Sequence, residues 1–264
     1  MDQERELEGL RARLAALEER VAEAQRLRSA FMQNVAHELS TPLTPLAGYL
    51  RILLSDKLGP LSPQHRKVAE SMTAAVTRLA RVVDNLSDFA SLASGQSTAL
   101  VGPVDPDALV AEVVEEQRAA VKEARLHLVV VPSGGGTIQA DARKLRQALA
   151  NVVGNAVNFS PHGGEVLVEV GRAGGLLRVA VSDQGPGIPA EDQPLVFEPF
   201  FHARREARAG EARRPGSGLG LPVAQRIAQA HGGRVIIESP PRDRQPVQGH
   251  QFSGTRVILE IPAG

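Results

Sequence analysis

His37 is the first residue whose type and position suggest chemistry. The apolar residues around it recur every three or four positions, as in the buried stripe of a helix. At about 100° per residue, His37 lies about 180° from that stripe. Its imidazole is therefore expected to face water, with Glu38 beside it and Thr41 one turn later. Such a ring suits a nucleophile whose proton is removed by the Glu38 carboxylate, although most exposed histidines are inert.

Two prolines follow His37 within the same helical pattern. Pro42 and Pro45 each remove one backbone hydrogen bond, at a cost of about 3 kcal/mol. We therefore expect the helix to bend just beyond His37. Because a helix selected only for stability would avoid these prolines, they favour a chemical role for the histidine. A kinked surface helix without such a role is the alternative.

A second group of polar residues shares one face of a predicted helix over residues 141–159. The face carries Gln147, Asn151, Asn155 and Asn158, opposite a set of leucine, valine and alanine residues. Asparagine is a poor helix former, so three asparagines on one strip indicate a ligand that needs neutral oxygen atoms. Mg²⁺ bound to phosphates is the obvious candidate, because hard cations prefer oxygen ligands.

Two glycine-containing segments could hold the rest of such a ligand. After Asp183, at the end of a predicted strand, Gly185 and Gly187 could let a flat ring approach the backbone while the carboxylate binds an exocyclic amine. A plain β-turn explains these residues equally well. Residues 216–220 (Gly-Ser-Gly-Leu-Gly) open a predicted helix and could offer backbone N–H groups to a phosphate. They lack the lysine of a P-loop and the leading strand of a dinucleotide fingerprint.

The N-terminal third of the chain is predicted to be helical. Residues 5–31 carry a heptad seam that includes Leu7, Leu10, Leu14, Leu17, Val21, Ala24 and Phe31. This spacing favours a coiled coil of two chains over a single amphipathic helix packed on its own domain. The apolar pattern continues to Leu54, and after a turn a second helix begins with Ser62 as its N-cap and Pro63 at its first position. Two such hairpins in a dimer would form a four-helix bundle.

After a linker over residues 95–104, the pattern changes to helices mixed with short strands. Helices are predicted over 105–124, 141–159 and 217–231, and strands over 126–131, 137–139, 165–170, 176–182, 234–238 and 255–261. This order predicts an α/β sandwich with one layer of each. The predicted domains are a coiled coil (1–28), a dimerising helical hairpin (29–94), the linker and a C-terminal α/β domain (105–264).

Composition excludes several classes of function. The 264 residues contain 30 basic and 30 acidic side chains and no cysteine. There is thus no electrostatic case for a nucleic-acid or membrane partner, and no disulfide or thiolate chemistry. The polar N-terminus does not resemble a secretory signal, and no apolar run reaches the ~18 residues of a membrane helix. We therefore expect a soluble cytoplasmic protein.

These motifs, in this order, resemble the histidine kinases of two-component systems over nearly the whole chain from about residue 25. Residues 37–42 (His-Glu-Leu-Ser-Thr-Pro) resemble the phosphoacceptor box of the HisKA-type dimerisation domain. The remaining motifs resemble those of an ATP-binding domain of the GHKL (Bergerat) type. They are an asparagine box at 151–158, glycine boxes at 183–187 and 216–220, and a phenylalanine box at 197–201.

The resemblance implies that ATP phosphorylates a ring nitrogen of His37, with Glu38 as general base. Thr41 would help to position water when the kinase dephosphorylates its partner. Asn155 would ligate Mg²⁺ and Asp183 would hold the adenine amine. The implied nucleotide-binding residues are Asn151, Asn155, Asn158, Asp183, Gly185, Gly187, Phe200, Gly216, Ser217, Gly218, Leu219 and Gly220. Residues 197–220 would form a mobile lid whose arginines either clamp phosphate or are simply solvated.

The implied partners are a second copy of the chain and the receiver domain of a response regulator, which accepts the phosphoryl group on an aspartate. Because no sensor domain precedes the predicted coiled coil, we expect the signal to come through that coil, from a separate sensor or receptor protein, or from a region outside this sequence. Asn158 and His202 stand where the family commonly has lysine and arginine. The alternatives are a related ATPase that drives a clamp and a non-catalytic dimeric scaffold.

Overall fold

The structure, a computed structural model, describes residues 2–93, 100–203, 216–240 and 252–263. The chain divides into two compact units, residues 1–97 and 98–264. The first unit is a helical hairpin, and the second combines helices with a five-stranded sheet. This order of a helical region followed by an α/β domain is the predicted one. Within the described ranges, no helix has both the length and the apolar character needed to cross a membrane.

Helix α1 (Asp2–Leu54) and helix α2 (Pro63–Ala93) pack against each other across a short turn. The turn is held at both ends by side chains. The Arg66 guanidinium donates to both carboxylate oxygens of Asp56, at 2.6 and 2.7 Å, and the Ser62 hydroxyl accepts the backbone N–H of His65 at 3.2 Å. Ser62 is therefore the N-cap of α2, as its sequence position predicts.

The packed face of the hairpin repeats every seven residues along α1. It contains Ser29, Ala36, Leu43 and Leu50 of α1, and Ala69, Val83, Leu86, Phe89 and Ala90 of α2, all of them buried. Helix α1 runs without interruption through the predicted coiled coil and past both Pro42 and Pro45. The bend expected beyond His37 stays a prediction.

A second apolar set faces outward from the single chain. Its exposed members are Leu10, Leu14, Leu17, Val21, Phe31, Leu39, Leu46, Val68, Met72 and Leu79. The members on α1 belong to the heptad seam and the apolar stripe predicted from the sequence, and burying the whole set requires a second surface. The dimer that would supply this surface stays a prediction.

The second unit is built on a sheet with strand order β2-β4-β5-β7-β6, in which only the β2–β4 pair is parallel, and on a smaller antiparallel β1–β3 pair. Its elements are β1 (Gly102–Val104), α3 (Pro106–Glu116), α4 (Arg118–Glu123), β2 (His127–Val131), β3 (Ile138–Ala140), α5 (Ala142–Phe159), β4 (Glu165–Ala173), β5 (Leu176–Asp183), α6 (Gly220–Ala230), β6 (Arg234–Glu238) and β7 (Arg256–Pro262). The leucine and valine face of α5 is buried, as predicted.

Several elements differ from the sequence-based expectation, including β4, which continues past residue 170 to Ala173. The helix predicted over 105–124 is divided into α3 and α4 at Gln117. Strand β1 lies within the predicted linker 95–104, where it pairs with β3. Helix α6 begins at Gly220 instead of residue 217. The reason is Gly218, whose φ of 69° is left-handed and cannot continue a right-handed helix.

Asp107, in the first turn of α3, holds the glycine-rich segment that follows β2. Its carboxylate accepts the backbone N–H and hydroxyl of Ser133, both at 2.8 Å, and the N–H of Gly135 at 3.1 Å. Partial burial acts to raise the pKa of Asp107. The hydrogen bonds from Ser133, Gly135 and Gly134 outweigh this effect, so the pKa lies below the ordinary value of 3.8. The ionised carboxylate is therefore the form that stabilises this loop.

We predict that Asp107→Asn lowers the free energy of unfolding by about 1–2 kcal/mol at neutral pH, because an amide NH₂ would face donors that now meet an oxygen. A carboxyl with a lowered native pKa adds stability above its unfolded pKa, and this stability is lost as pH falls through the native pKa. The difference from wild type should therefore shrink as pH falls from the ordinary pKa of 3.8 through the lower native pKa. Urea unfolding followed by circular dichroism measures it, with the exposed Glu123→Gln as control. A difference that does not change with pH would contradict the assignment.

Candidate functional site

Strand β5 ends at Asp183, a buried residue whose carboxylate binds two separate backbone segments. Oδ1 accepts the N–H of Gly185 at 2.8 Å and the N–H of Thr255 at 3.0 Å. The Asp183 carbonyl in turn accepts the N–H of Gly254 at 3.1 Å. The turn after β5 is therefore fastened to the start of β7. Its carboxylate is held in one orientation.

Gly254 and Thr255 were not among the residues predicted from the sequence. Thr255 lies 72 residues beyond Asp183 in the chain. No local sequence pattern therefore connects either residue to Asp183. The available signal was the Ser253-Gly254-Thr255 run directly before the last strand. A glycine there marks a place where two backbone segments approach closely.

The asparagine strip lies on α5, with Asn151, Asn155 and Asn158 all half-buried. The two glycine segments flank it. A Cβ built on Gly220 would lie 3.5 Å from Nδ2 of Asn155 and 3.6 Å from Cβ of Asn151, and a Cβ built on Gly185 would lie 2.9 Å from the carbonyl oxygen of Phe159, the last residue of α5. The structure thus brings together three motifs that are well separated in the sequence.

Asn151 contains a buried polar atom of particular interest. Among the residues that the structure describes, none offers a hydrogen-bond partner to its Nδ2. A buried amide donor of this kind costs about 1–3 kcal/mol unless an acceptor is supplied. A phosphate oxygen is such an acceptor, and the neighbouring Asn155 amide has an oxygen that can ligate Mg²⁺. The strip therefore fits a phosphate group with its cation.

The segment before α6 is joined to the phenylalanine motif by backbone pairing. The N–H of Phe200 donates to the carbonyl of Gly218 at 3.0 Å, and Nε2 of His202 donates to the carbonyl of Gly216 at 2.7 Å. Ser217 accepts the N–H of Leu219, which is fully buried at the N-cap of α6. The arginines predicted to belong to a lid, Arg204, Arg205, Arg208, Arg213 and Arg214, lie outside the described residues.

His37 belongs to the helical unit and lies on α1 with an exposed side chain, as predicted. Glu38 and Thr41 are also exposed. The Thr41 hydroxyl donates to the His37 carbonyl at 3.0 Å, and Thr44 makes the same bond to Ser40 at 3.1 Å. The imidazole is therefore open to a partner molecule, and the predicted roles of Glu38 and Thr41 stay predictions.

Two family models match different parts of the chain. Residues 27–95 match the His Kinase A (phospho-acceptor) domain. Residues 140–264 match the domain described as histidine kinase-, DNA gyrase B-, and HSP90-like ATPase. The first range contains the exposed His37, and the second contains the asparagine strip and both glycine segments. This chain belongs to the sensor histidine kinases.

Individual histidine kinases support the same assignment. The chain is 32% identical to the histidine protein kinase DivJ of Caulobacter vibrioides over 236 residues, which are 89% of this chain and 37% of DivJ. It is 32% identical to the sensor-like histidine kinase SenX3 of Mycolicibacterium smegmatis over 220 residues, 83% of this chain and 56% of SenX3. The chain thus spans about half, or less, of these relatives.

The fold of this histidine kinase is also found in a solved relative. The crystal structure of full-length ShkA in complex with AMPPNP superposes with a TM-score of 0.66 at 28% sequence identity, over 88% of this chain and 45% of ShkA. ShkA therefore holds an ATP analogue within a chain that shares this architecture. The α/β unit described above is an ATP-binding domain of the same kind.

We predict that Gly218→Ala weakens nucleotide binding by the histidine kinase at least tenfold. An added Cβ would lie 2.7 Å from Cα of Phe200 and 2.8 Å from its carbonyl carbon, at a φ of 69°, so the pairing of these two segments must shift. Gly102→Ala is the control, because nothing lies within 4 Å of its Cβ position and Gly102 is not among the implied nucleotide-binding residues. Equilibrium titration with a fluorescent ATP analogue measures both. Equal affinities for the two variants would show that this pairing does not shape the site.

Proposed function

We propose that this chain is an ATP-dependent kinase that phosphorylates its own His37 and then passes the phosphoryl group to an aspartate of a response regulator. One observation carries the proposal. The domain with an open histidine occurs in the same chain as a unit where Asp183, the asparagine strip and the glycine segment converge on one site. A clamp-type ATPase has no need of the first domain, so the sequence and the structure favour the kinase.

The ATP would be bound by groups of three kinds. The Asp183 carboxylate would accept the exocyclic amine of adenine, and the Asp183–Gly187 turn would lie along the ring. The Nδ2 of Asn151 would donate to a phosphate oxygen, which removes the cost of its burial. Backbone N–H groups around Gly218 and Gly220 would hold the phosphates at the start of α6.

Mg²⁺ would neutralise phosphate charge and orient the γ-phosphate when bound, with the Asn155 oxygen as its protein ligand. Asn158, on the same face of α5, would contact the phosphates where other members of the family use a lysine. An amide there supplies a hydrogen bond without a positive charge. We therefore expect this kinase to depend on the arginines of residues 204–214 for additional positive charge at the phosphates.

In the transfer step, the lone pair of one His37 ring nitrogen would form a bond to the γ-phosphorus of ATP. The bond to the β–γ bridging oxygen would break, and ADP would leave with the electron pair. The proton on the other ring nitrogen would pass to the Glu38 carboxylate. Positioning and charge neutralisation supply most of the catalysis in such reactions.

The second copy of the chain would pair through the outward apolar residues of α1 and α2, which the single chain leaves exposed. The phosphohistidine would then be attacked by an aspartate of a receiver domain. Thr41 would help to position the water that later hydrolyses the aspartyl phosphate. Because the reaction consumes ATP, we place it in the cytoplasm. A separate sensor or receptor protein would supply the input.

Incubation with γ-labelled ATP and Mg²⁺ tests the proposal. Wild-type protein should become labelled, and the label should survive alkali and be lost in acid, as a phosphoramidate bond requires. His37→Gln should abolish labelling. His65→Gln is the matched control, because His65 is also an exposed histidine of the same hairpin, and it should label normally.

The other outcomes identify the alternatives. Label on His37→Gln protein would exclude His37 as the acceptor. Hydrolysis of ATP without labelled protein would favour a clamp-type ATPase. Failure to bind ATP at millimolar concentration with Mg²⁺ would favour a scaffold that does not catalyse.

We expect Asn151→Leu to weaken ATP binding without lowering the stability of the protein. The leucine removes a buried donor that has no partner in the described part of the chain, so the melting temperature without nucleotide should stay the same or rise by a few degrees. ATP affinity should fall about tenfold or more, because the donor to the phosphate is lost. Differential scanning fluorimetry with and without ATP measures both effects. A variant that lost stability but kept its affinity would show that Asn151 has only a packing role.

A further inference from the structure

The backbone of Ile188, directly after the Asp183–Gly187 turn, is held by two side chains from elsewhere in the unit. Its N–H donates to the Ser239 hydroxyl at 2.8 Å, and its carbonyl accepts Nε2 of Gln193 at 3.1 Å. Ser239 follows β6 in the chain, and Gln193 lies between the turn and the phenylalanine motif. Neither residue was singled out by the sequence. Both are half-buried.

The Ser239 hydroxyl is surrounded by partners that use its full hydrogen-bonding capacity. Its oxygen lies 3.0 Å from the Gly254 carbonyl and 3.1 Å from the Thr255 hydroxyl, in addition to the Ile188 N–H. A hydroxyl has one proton and two acceptor sites. It donates to the Gly254 carbonyl and accepts from Ile188 and from the Thr255 hydroxyl. Gly254 and Thr255 are the residues whose N–H groups hold Asp183.

Gln193 also links Ile188 to Ser239, through the backbone carbonyls of both residues. Both of its bonds are made by Nε2, one to the Ile188 carbonyl and one to the Ser239 carbonyl at 2.6 Å. The amide therefore spans the turn and the end of β6. Gly187 permits this approach, because a Cβ there would lie 3.0 Å from the Ser239 hydroxyl at a φ of 77°. We call Gln193 and Ser239 together the Ile188 strap.

We propose that the Ile188 strap consists of positioning residues for the adenine ring of ATP. This inference rests on the proposed function. The turn between Asp183 and Ile188 is fixed at its first residue by the Asp183 carboxylate and at its far end by the strap. Because both ends of the turn are fixed, the turn backbone is held at a defined distance from the adenine-binding carboxylate. Loss of the strap would let the far end move, and errors of about 1 Å in such a site reduce binding substantially.

The test uses Ser239→Ala and Gln193→Met in the full chain, with initial rates of His37 labelling measured across ATP concentrations. Each variant should raise the apparent KM for ATP about threefold to tenfold, the effect of one or two hydrogen bonds, with kcat changed less than twofold. The inhibition constant of ADP should rise by the same factor, because the two nucleotides share the adenine. The double variant should lose less than the product of the single effects, because both side chains hold Ile188.

Ser253→Ala is the control, since Ser253 is an exposed serine next to Gly254, and its KM should match wild type. Ser239→Thr, which keeps the hydroxyl, should recover most of the lost affinity. If Ser239→Ala lowers the melting temperature but leaves KM unchanged while wild type still labels on His37, the strap is merely structural. That result overturns this inference and leaves the proposed function intact. A wild-type protein that does not bind ATP would overturn both.

Discussion

The nucleotide-binding unit depends on the carboxylate of Asp183. One of its oxygens accepts two backbone N–H groups, from Gly185 on the following turn and from Thr255 directly before β7. A buried carboxylate is costly unless it is hydrogen-bonded, so the charge that suits it for binding an amine also requires these two segments to stay in place. The same group thus organises the turn and, in the proposed function, recognises the base.

Helix α5 shows how one element serves stability and ligand binding at once. Its leucine and valine face is part of the core, and its asparagine face meets Gly220 at the start of α6. The asparagines stabilise the helix poorly, and Asn151 has a buried donor for which the described ranges supply no partner. Such a residue is understandable if a ligand supplies the missing acceptor. The local loss of stability is then a consequence of keeping the site ready for phosphate.

The helical unit is subject to a different constraint in the proposed function, because the phosphoacceptor His37 would have to be accessible. Hairpin packing uses a seven-residue repeat that includes Ala36 and Leu43, which leaves His37 outside the buried seam. The outward apolar residues lie on a further face of α1 and α2, where a second chain would cover them. The hairpin thus has a buried packing face, an exposed apolar face and an exposed His37 ring. In the proposed function, the second face would serve pairing and the ring would serve chemistry.

Periodicity and motif order in the sequence were enough to determine the helical hairpin, the amide face of α5, the exposure of His37 and the family. These features depend on residue types that lie within a few positions of one another, and such local patterns can be read directly from the sequence.

The tertiary structure alone decided which distant segments meet. The strand order β2-β4-β5-β7-β6 places β7 beside β5, and this brings Thr255 to Asp183 and Ser239 to Ile188. Sequence periodicity carries no information about such pairings, because they depend on how the strands are ordered in the finished sheet. The start of α6 is a further example. It is shifted to Gly220 by the left-handed backbone of Gly218, which packs closely against Phe200, a residue of another segment.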